Sequence, residues 1–495
     1  MTHTDTNSTV PANAALHPLP RQSQKQLLAA YGVVTTALLL YELYTPNTDS
    51  FLLNFAAVLI TLAALLPSYL WCAGYAQGMP IFPLFAITFV WTYGLPLVSK
   101  TPAIVQYSVS SQWVASLTTA GFLFIGTVVW FQFVKVAPPA PRSYRALGDR
   151  QGDQFFLWAL AISVFFNIGN AGGWLALSPD VFVIVRNVII ALTALGGFVL
   201  SYRLGTQALS RQQSGLLVVL IGAFMVTSAV SLLLVGAATV FLSAVAAFII
   251  GRKKVPLLTI LLVCLCLAFL QPGKADLRSK YWFRSASNPY VQPWDYPALF
   301  IEWTDASFQY FSKQDAATRQ TRQSFAERAS VIQMLLLAQT KSPAQVPYLH
   351  GKTYKILPQL IVPRILNPNK IRSHEGTYIL SVHYGQQKYE DTARTTIGWG
   401  LLAESYANFG FFGCAGLAVI VASIFGQATR WSISTPILSG RSMLTVLMLT
   451  FAIQTEWTAG VYVAAFFQYV VVLGGIVVFL MQNYRMQHTP LLNHE

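Results

Sequence analysis

The chain has 495 residues, of which 54% are hydrophobic and only 10% charged, with a formal net charge of +14. Soluble proteins carry about 25% charged residues, so this chain could not cover its own surface in water. Its four cysteines, Cys72, Cys264, Cys266 and Cys414, all fall in or beside apolar runs, which excludes a disulfide framework.

The polar first residues, rich in Thr, Asn and Pro, are predicted to be disordered. Arg21 and Lys25 then precede the apolar run Leu27–Leu40. That start resembles a signal peptide. Many more spans follow and there is no clear small-residue cleavage site, so an uncleaved first helix is expected. Each apolar run is long enough to cross a hydrocarbon core about 30 Å thick. Without water, backbone groups must pair inside the segment, so helices are expected. The runs lack the strict alternation of barrel strands.

Spans are predicted at 27–44, 51–71, 80–98, 114–134, 154–176, 181–202, 214–232, 234–250, 255–270, 409–427, 441–457 and 461–481. Residues 214–250 are one apolar stretch, broken only around Gly236. It is too long for one span and slightly short for two. Cys264 and Cys266 lie two apart inside a span, where they read as packing rather than metal ligands. The fold expected is an all-α polytopic membrane protein of about 12 transmembrane helices. Its parts are an amino-terminal segment 1–26, helices 1–9 over 27–270, a large loop 271–396, helices 10–12 over 397–482, and a tail 483–495.

Charge sets the expected sidedness. With the amino terminus inside, 14 of the 32 basic residues fall on cytoplasmic segments, among them Lys135, Arg145, Arg203, Arg252 and Arg430. The short outer loops carry only Lys100 with Glu42, Asp49, Asp180 and Glu456. The positive-inside rule then puts both termini in the cytoplasm and the large loop outside. That loop holds 16 basic and 9 acidic residues with His350, His374 and His383. Ser324 and Glu327 read as a capping box ahead of Val331, Ile332, Leu335 and Leu336. A folded cap on the outer face is expected, with Trp294, Trp303 and Phe308 packing at the interface. Its excess positive charge suits phosphates of lipid headgroups or lipid-linked sugars rather than nucleic acid.

Five places could carry chemistry. Arg186 stands among apolar residues in the sixth span, where a charge is costly and faces a partner or cavity; snorkelling beside Asp180 is the plainer alternative. Lys274, Arg278, Lys280 and Arg284 open the loop within eleven residues, with Arg278 near Trp282. A guanidinium binds phosphate oxygens as a fork, although a basic collar on headgroups has the same composition. Arg364, in PQLIVPRILNPNKIR, is flanked by apolar residues and by Pro358, Pro363 and Pro368, with Lys370 following. A proline-fixed backbone could aim it at a substrate, or merely hold a strut. Glu404 and Asn408 are four apart and share a helical face. Glu404 is a candidate general base and equally a counter-ion for an arginine. His383 is the alternative base, against the commoner structural role of a lone histidine.

The segments GKADLR, PRILNPNK and ESYANFGFFG resemble parts of the Wzy-type O-antigen and exopolysaccharide repeat-unit polymerases. The plan of about twelve spans with a large outer loop after the ninth is similar too, and the O-antigen ligases share it. Arg186 and Gly197, eleven apart, fit a spacing of that family, but Asn367 and Ile371 depart from its loop pattern. The resemblance implies a glycosyltransferase at the outer face of the bacterial cytoplasmic membrane. Its donor and acceptor would be polyprenyl-diphosphate-linked glycans. It implies Arg186, Arg278, Arg364, Lys274 and Lys370 at the diphosphate, Glu404 or His383 as base, and Asn408 and Trp282 in support. Membrane lipids and a chain-length regulator would be partners. The first outer loop lacks paired acidic residues, so no metal or other cofactor is expected. A ligase, or a flippase or other transporter of lipid-linked sugars, is the alternative; the chain shows no internal repeat of the kind transporters often carry.

Overall fold

The computed structural model describes residues 21–45, 50–99, 101–232, 234–281, 290–312, 329–362, 367, 370–393 and 395–485. Eleven helices among them are long and apolar enough to cross a membrane, and the chain is an all-α polytopic membrane protein. The long helices are α1 (Arg21–Tyr44), α2 (Phe51–Cys72), α3 (Ile81–Val98), α4 (Val109–Val134), α5 (Asp153–Gly172), α6 (Pro179–Gly205), α7 (Arg211–Val230), α8 (Leu234–Arg252) and α9 (Leu257–Tyr281). Then follow α10 (Tyr296–Ser312), α11 (Ile332–Lys341), α12 (Glu375–His383), α13 (Gly400–Ser432), α14 (Gly440–Ala452) and α15 (Ala459–Phe479).

The 214–250 stretch forms two helices. Each reaches membrane length by taking in residues beyond the apolar run, Arg211–Gln213 at one end and Gly251–Arg252 at the other. Ser210 and Gln213 cap α7 reciprocally. The predicted span 441–457 is only the 13-residue α14. At 1.5 Å per residue it covers roughly 20 Å, short of a hydrocarbon core. Gln454 and Glu456 follow it, and Tyr462 Oη donates to the carbonyls of Phe451 and Gln454 in the turn. The predicted span 409–427 begins earlier, at Gly400, which places Glu404 and Asn408 inside the helix. Glu42, expected in an outer loop, is buried within α1.

The chain divides into two compact units. The first holds α1–α4, α11–α14, most of α15, and two short antiparallel strands, β1 (Ser143–Ala146) and β2 (Gln482–Arg485). Its centre is aromatic: Phe85 meets Phe82, Phe89, Phe122 and Phe425. Glycines let α4 and α13 sit close to their neighbours. A Cβ at Gly126 would stand 2.7 Å from the Phe82 ring, and one at Gly426 2.9 Å from Phe133. The cap does not lie wholly on a surface. Its helix α11 buries Ile332, Met334, Leu335, Leu336 and Leu337. Gln339 Nε2 donates to Thr118 Oγ1 of α4 at 2.9 Å, and the Val331 amide donates to the Thr92 carbonyl of α3 at 2.9 Å. This run is too apolar to face water. The expected capping box at Ser324 and Glu327 lies outside the described residues.

The second unit holds α5–α10. Here α6 and α8 cross at Gly205 and Gly251, where Cβ atoms would fall within 2.7 and 2.5 Å of backbone carbonyls. Asp153 and Arg203 form a buried ion pair, and Arg203 Nη2 also donates to the Gly148 carbonyl at 2.7 Å. Pro272 interrupts the hydrogen-bond ladder of α9. Nearby, Trp303 Nε1 of α10 donates to the Leu270 carbonyl at 2.7 Å.

Candidate functional site

The site is built where α13 breaks. Gly410 has φ 62° and ψ −147°, inside a helix that otherwise runs 33 residues. That region of backbone space belongs essentially to glycine. The break leaves carbonyls for another segment to satisfy. The Leu349 amide donates to the Ala407 carbonyl at 3.0 Å, and the His350 amide to the Asn408 carbonyl at 3.2 Å. His350 and Gly351 take φ values of 45° and 82°, which turn the chain tightly enough to present both amides. Non-helical backbone at membrane depth is tolerated where protein covers it, and the cap covers it here.

Asn408 locks this join. Its Oδ1 accepts the Gly351 amide at 3.0 Å, and its Nδ2 donates to Thr353 Oγ1 at 2.9 Å and to the Glu404 carbonyl at 2.8 Å. Glu404 and Asn408 therefore share a helical face, as their spacing predicts, and both are 0% exposed. The Glu404 Oε2 atom accepts the Ala459 amide at 2.6 Å, at the first residue of α15. A carboxylate at a helix amino terminus is favoured by the helix dipole. The other oxygen, Oε1, is buried and meets no donor in good hydrogen-bond geometry among the described residues, with the Thr353 hydroxyl standing beside the carboxylate. It faces Gly376 of α12, where a Cβ would stand 3.6 Å away. Thr377 and Thr458 hydroxyls, 3.1 Å apart, hold α12 against the start of α15. Tyr354 stacks on Phe409, ring centroids 6.0 Å apart. Burial, and then the nearby Glu404 carboxylate, raise the Tyr354 hydroxyl well above the usual tyrosine range.

The basic residues divide between the units. Lys370 belongs to the first, and its Nζ donates to the Leu360 carbonyl at 2.5 Å. The Leu360 side chain and the Ser373 carbonyl lie against Gly460, 3.2 and 3.0 Å from where a Cβ would stand. Leu360, whose carbonyl Lys370 holds, thus packs one residue along from Ala459, the partner of Glu404. Arg364 lies outside the described residues, between the anchors Leu360 and Lys370. His383 is half-buried, and its Nε2 lies 2.8 Å from the Pro347 carbonyl. Among the described residues no hydrogen bond joins it to Glu404, and no Lys or Arg pairs with Glu404.

Lys274, Arg278 and Arg186 belong to the second unit. Lys274 is buried, 3.3 Å from Gln271 Oε1. Arg278 forks onto the Leu232 carbonyl through Nε at 3.3 Å and Nη2 at 2.9 Å, which caps the left-handed turn between α7 and α8. In this structure the fork is engaged by a backbone carbonyl. Arg186 is exposed on α6 beside the exposed Val183 and Ile184. Trp282 lies outside the described residues. Sequence reasoning missed Gly351, Thr353, Gly376 and Gly410. The only signal for the break was the glycine pair in NFGFFG, which a helical span also tolerates.

Gly410→Ala tests the break. Strain at such a position costs about 1–3 kcal/mol, and the new Cβ would stand 3.0 Å from Tyr348 Oη. A lowered melting midpoint of the purified protein is expected; an unchanged midpoint would show that the break does not depend on glycine.

No family model, no curated protein and no solved structure matches this chain.

Proposed function

We propose that this chain is a bacterial inner-membrane glycosyltransferase that polymerises polyprenyl-diphosphate-linked oligosaccharide repeat units outside the membrane. The observation that carries the reading is Glu404. It is a buried carboxylate with one oxygen fixed by the Ala459 amide and the other without a hydrogen bond among the described residues, next to the break in a span that the 349–353 segment covers. In the reaction proposed, an acceptor sugar hydroxyl attacks the anomeric carbon of the donor. The new glycosidic bond forms as the bond to the diphosphate breaks. The proton passes to Glu404 and the polyprenyl diphosphate leaves. Arg364 and Lys370 meet the charge that develops on the leaving group, and the apolar spans shelter the prenyl chains. In this reading α14 and the turn after it complete a twelfth crossing, so the cap lies outside and both termini lie in the cytoplasm, as the positive-inside pattern supports.

A second reading draws on the break at Gly410. Interrupted helices with buried polar groups also occur in transporters, so the chain could move lipid-linked sugars without joining them. One comparison separates these readings: the surface glycans of a strain lacking the protein, complemented with wild type or variants. A polymerase leaves single repeat units on the surface when absent. Arg364→Ala is expected to give the same single-unit profile, and Arg364→Lys to restore long chains poorly, because an ammonium cannot form the bidentate fork. Wild-type chain lengths with Arg364→Ala would remove that residue from the reaction. Loss of all surface units in the null strain would favour transport, and long chains retained on the carrier would favour a ligase.

A further inference from the structure

The first unit contains a second buried acid that this reaction does not use. Glu42 lies near the end of α1 and is 0% exposed. Thr61 Oγ1 of α2 donates to its Oε1 at 2.5 Å, and Asn54 Nδ2 donates to its backbone carbonyl at 2.5 Å. The other carboxyl oxygen, Oε2, meets no hydrogen-bond partner among the described residues. Gly94 of α3 closes the site: a Cβ there would stand 3.2 Å from Thr61 Oγ1 and 3.6 Å from Glu42 Oε1. Gly94 is the last residue of a π-helical turn, Val90–Gly94. Such turns are rare and recur at functional sites.

No positive charge faces this acid among the described residues. Helix α2 carries no charged side chain. On α1, Tyr41 and Tyr44 are exposed, and Lys25 lies near the opposite end. Tyr31 pairs with Tyr69, about three turns away along α1. From α3, Tyr93 turns its hydroxyl to Gly400, 3.6 Å from where a Cβ would stand. A carboxylate buried in apolar surroundings without a cation is costly, whereas the neutral acid is tolerated.

We propose that Glu42 is a proton-binding site of the membrane bundle, coupled to the π turn of α3. With its proton, the acid carries no charge into a buried surrounding that offers one hydroxyl donor and no cation among the described residues. Without it, the carboxylate needs further donors, and the irregular backbone of Val90–Gly94 is the adjustable element beside it. That turn touches the cap and α13 directly. The Thr92 carbonyl accepts the Val331 amide ahead of α11, and Tyr93 stands against Gly400, one helical turn before Glu404. Proton binding at Glu42 therefore biases how α3 seats both elements. This inference does not depend on the sugar-transfer reading.

The test uses the purified full-length chain in detergent and dicyclohexylcarbodiimide, an apolar reagent that adds to protonated carboxylic acids. Adducts are mapped by mass spectrometry across a pH series. Wild type is expected to carry an adduct on Glu42 that forms faster at acid than at alkaline pH. No Glu42 adduct at any pH in folded protein, or a rate that ignores pH, would overturn the proposal. The coupling is read separately, from hydrogen exchange at the Val90–Gly94 amides corrected for intrinsic rates. Protection is expected to change with pH in wild type and to stay constant in Glu42→Gln. An identical pH response in the two proteins would overturn the coupling.

Discussion

Glu404→Gln is expected to lower chain extension by about 10²–10⁴-fold, the usual contribution of a general base, in a protein that still folds and inserts. The amide oxygen of Gln can accept the Ala459 amide as Oε2 does now, so the cap on α15 survives. What Gln lacks is the capacity to take a proton. Glu404→Ala is the contrasting variant. It removes the cap and leaves the Ala459 amide buried without its acceptor, a cost of about 1–3 kcal/mol. Turnover and melting midpoint measured on the same preparations separate the two roles. A stable Gln variant with near-normal turnover would reduce Glu404 to a helix cap and move the base to His383.

Arg203→Ala is expected to destabilise the second unit by about 3–5 kcal/mol, the range for removing one partner of a buried ion pair. Both side chains of the pair are 3% exposed. Removing Arg203 strands the Asp153 carboxylate, whose Oδ2 already lacks a hydrogen-bond partner among the described residues. The Gly148 carbonyl loses a donor as well. Replacing both partners with apolar residues, Asp153→Leu with Arg203→Met, is expected to recover much of the loss, because the uncompensated charge disappears. Thermal unfolding of the single and double variants checks this. A single variant as stable as wild type would show that the pair contributes little.

The spans were legible because apolar runs of membrane length have few other uses. The division of 214–250 into α7 and α8 could not be read from length, which is too great for one span and short for two; only the alternation of positive charge along the chain favoured it. The short α14 was not legible, because hydropathy averages over Gln454 and Glu456 and cannot see the turn that Tyr462 ties down. The pairing of Glu404 with Asn408 followed from their four-residue spacing. Their full burial did not, since it comes from residues far away in sequence, Gly351, Thr353, Gly376 and Ala459. The same limit applies to Arg278. Its composition fits a phosphate fork, and only the fold shows that the fork closes on the Leu232 carbonyl. Glu42 looked like a loop charge because it stands at the end of an apolar run. Thr61 and Gly94, which enclose it, lie on other helices.

Polymerisation is tested by a reaction of the purified full-length chain with a synthetic polyprenyl-diphosphate-linked repeat unit as the only sugar source. Glycans lengthened by whole repeat units are expected, with one polyprenyl diphosphate released for each bond formed, and loss of both products in Glu404→Gln. Intact repeat units, with neither lengthening nor release by a folded protein that binds the lipid, would contradict it.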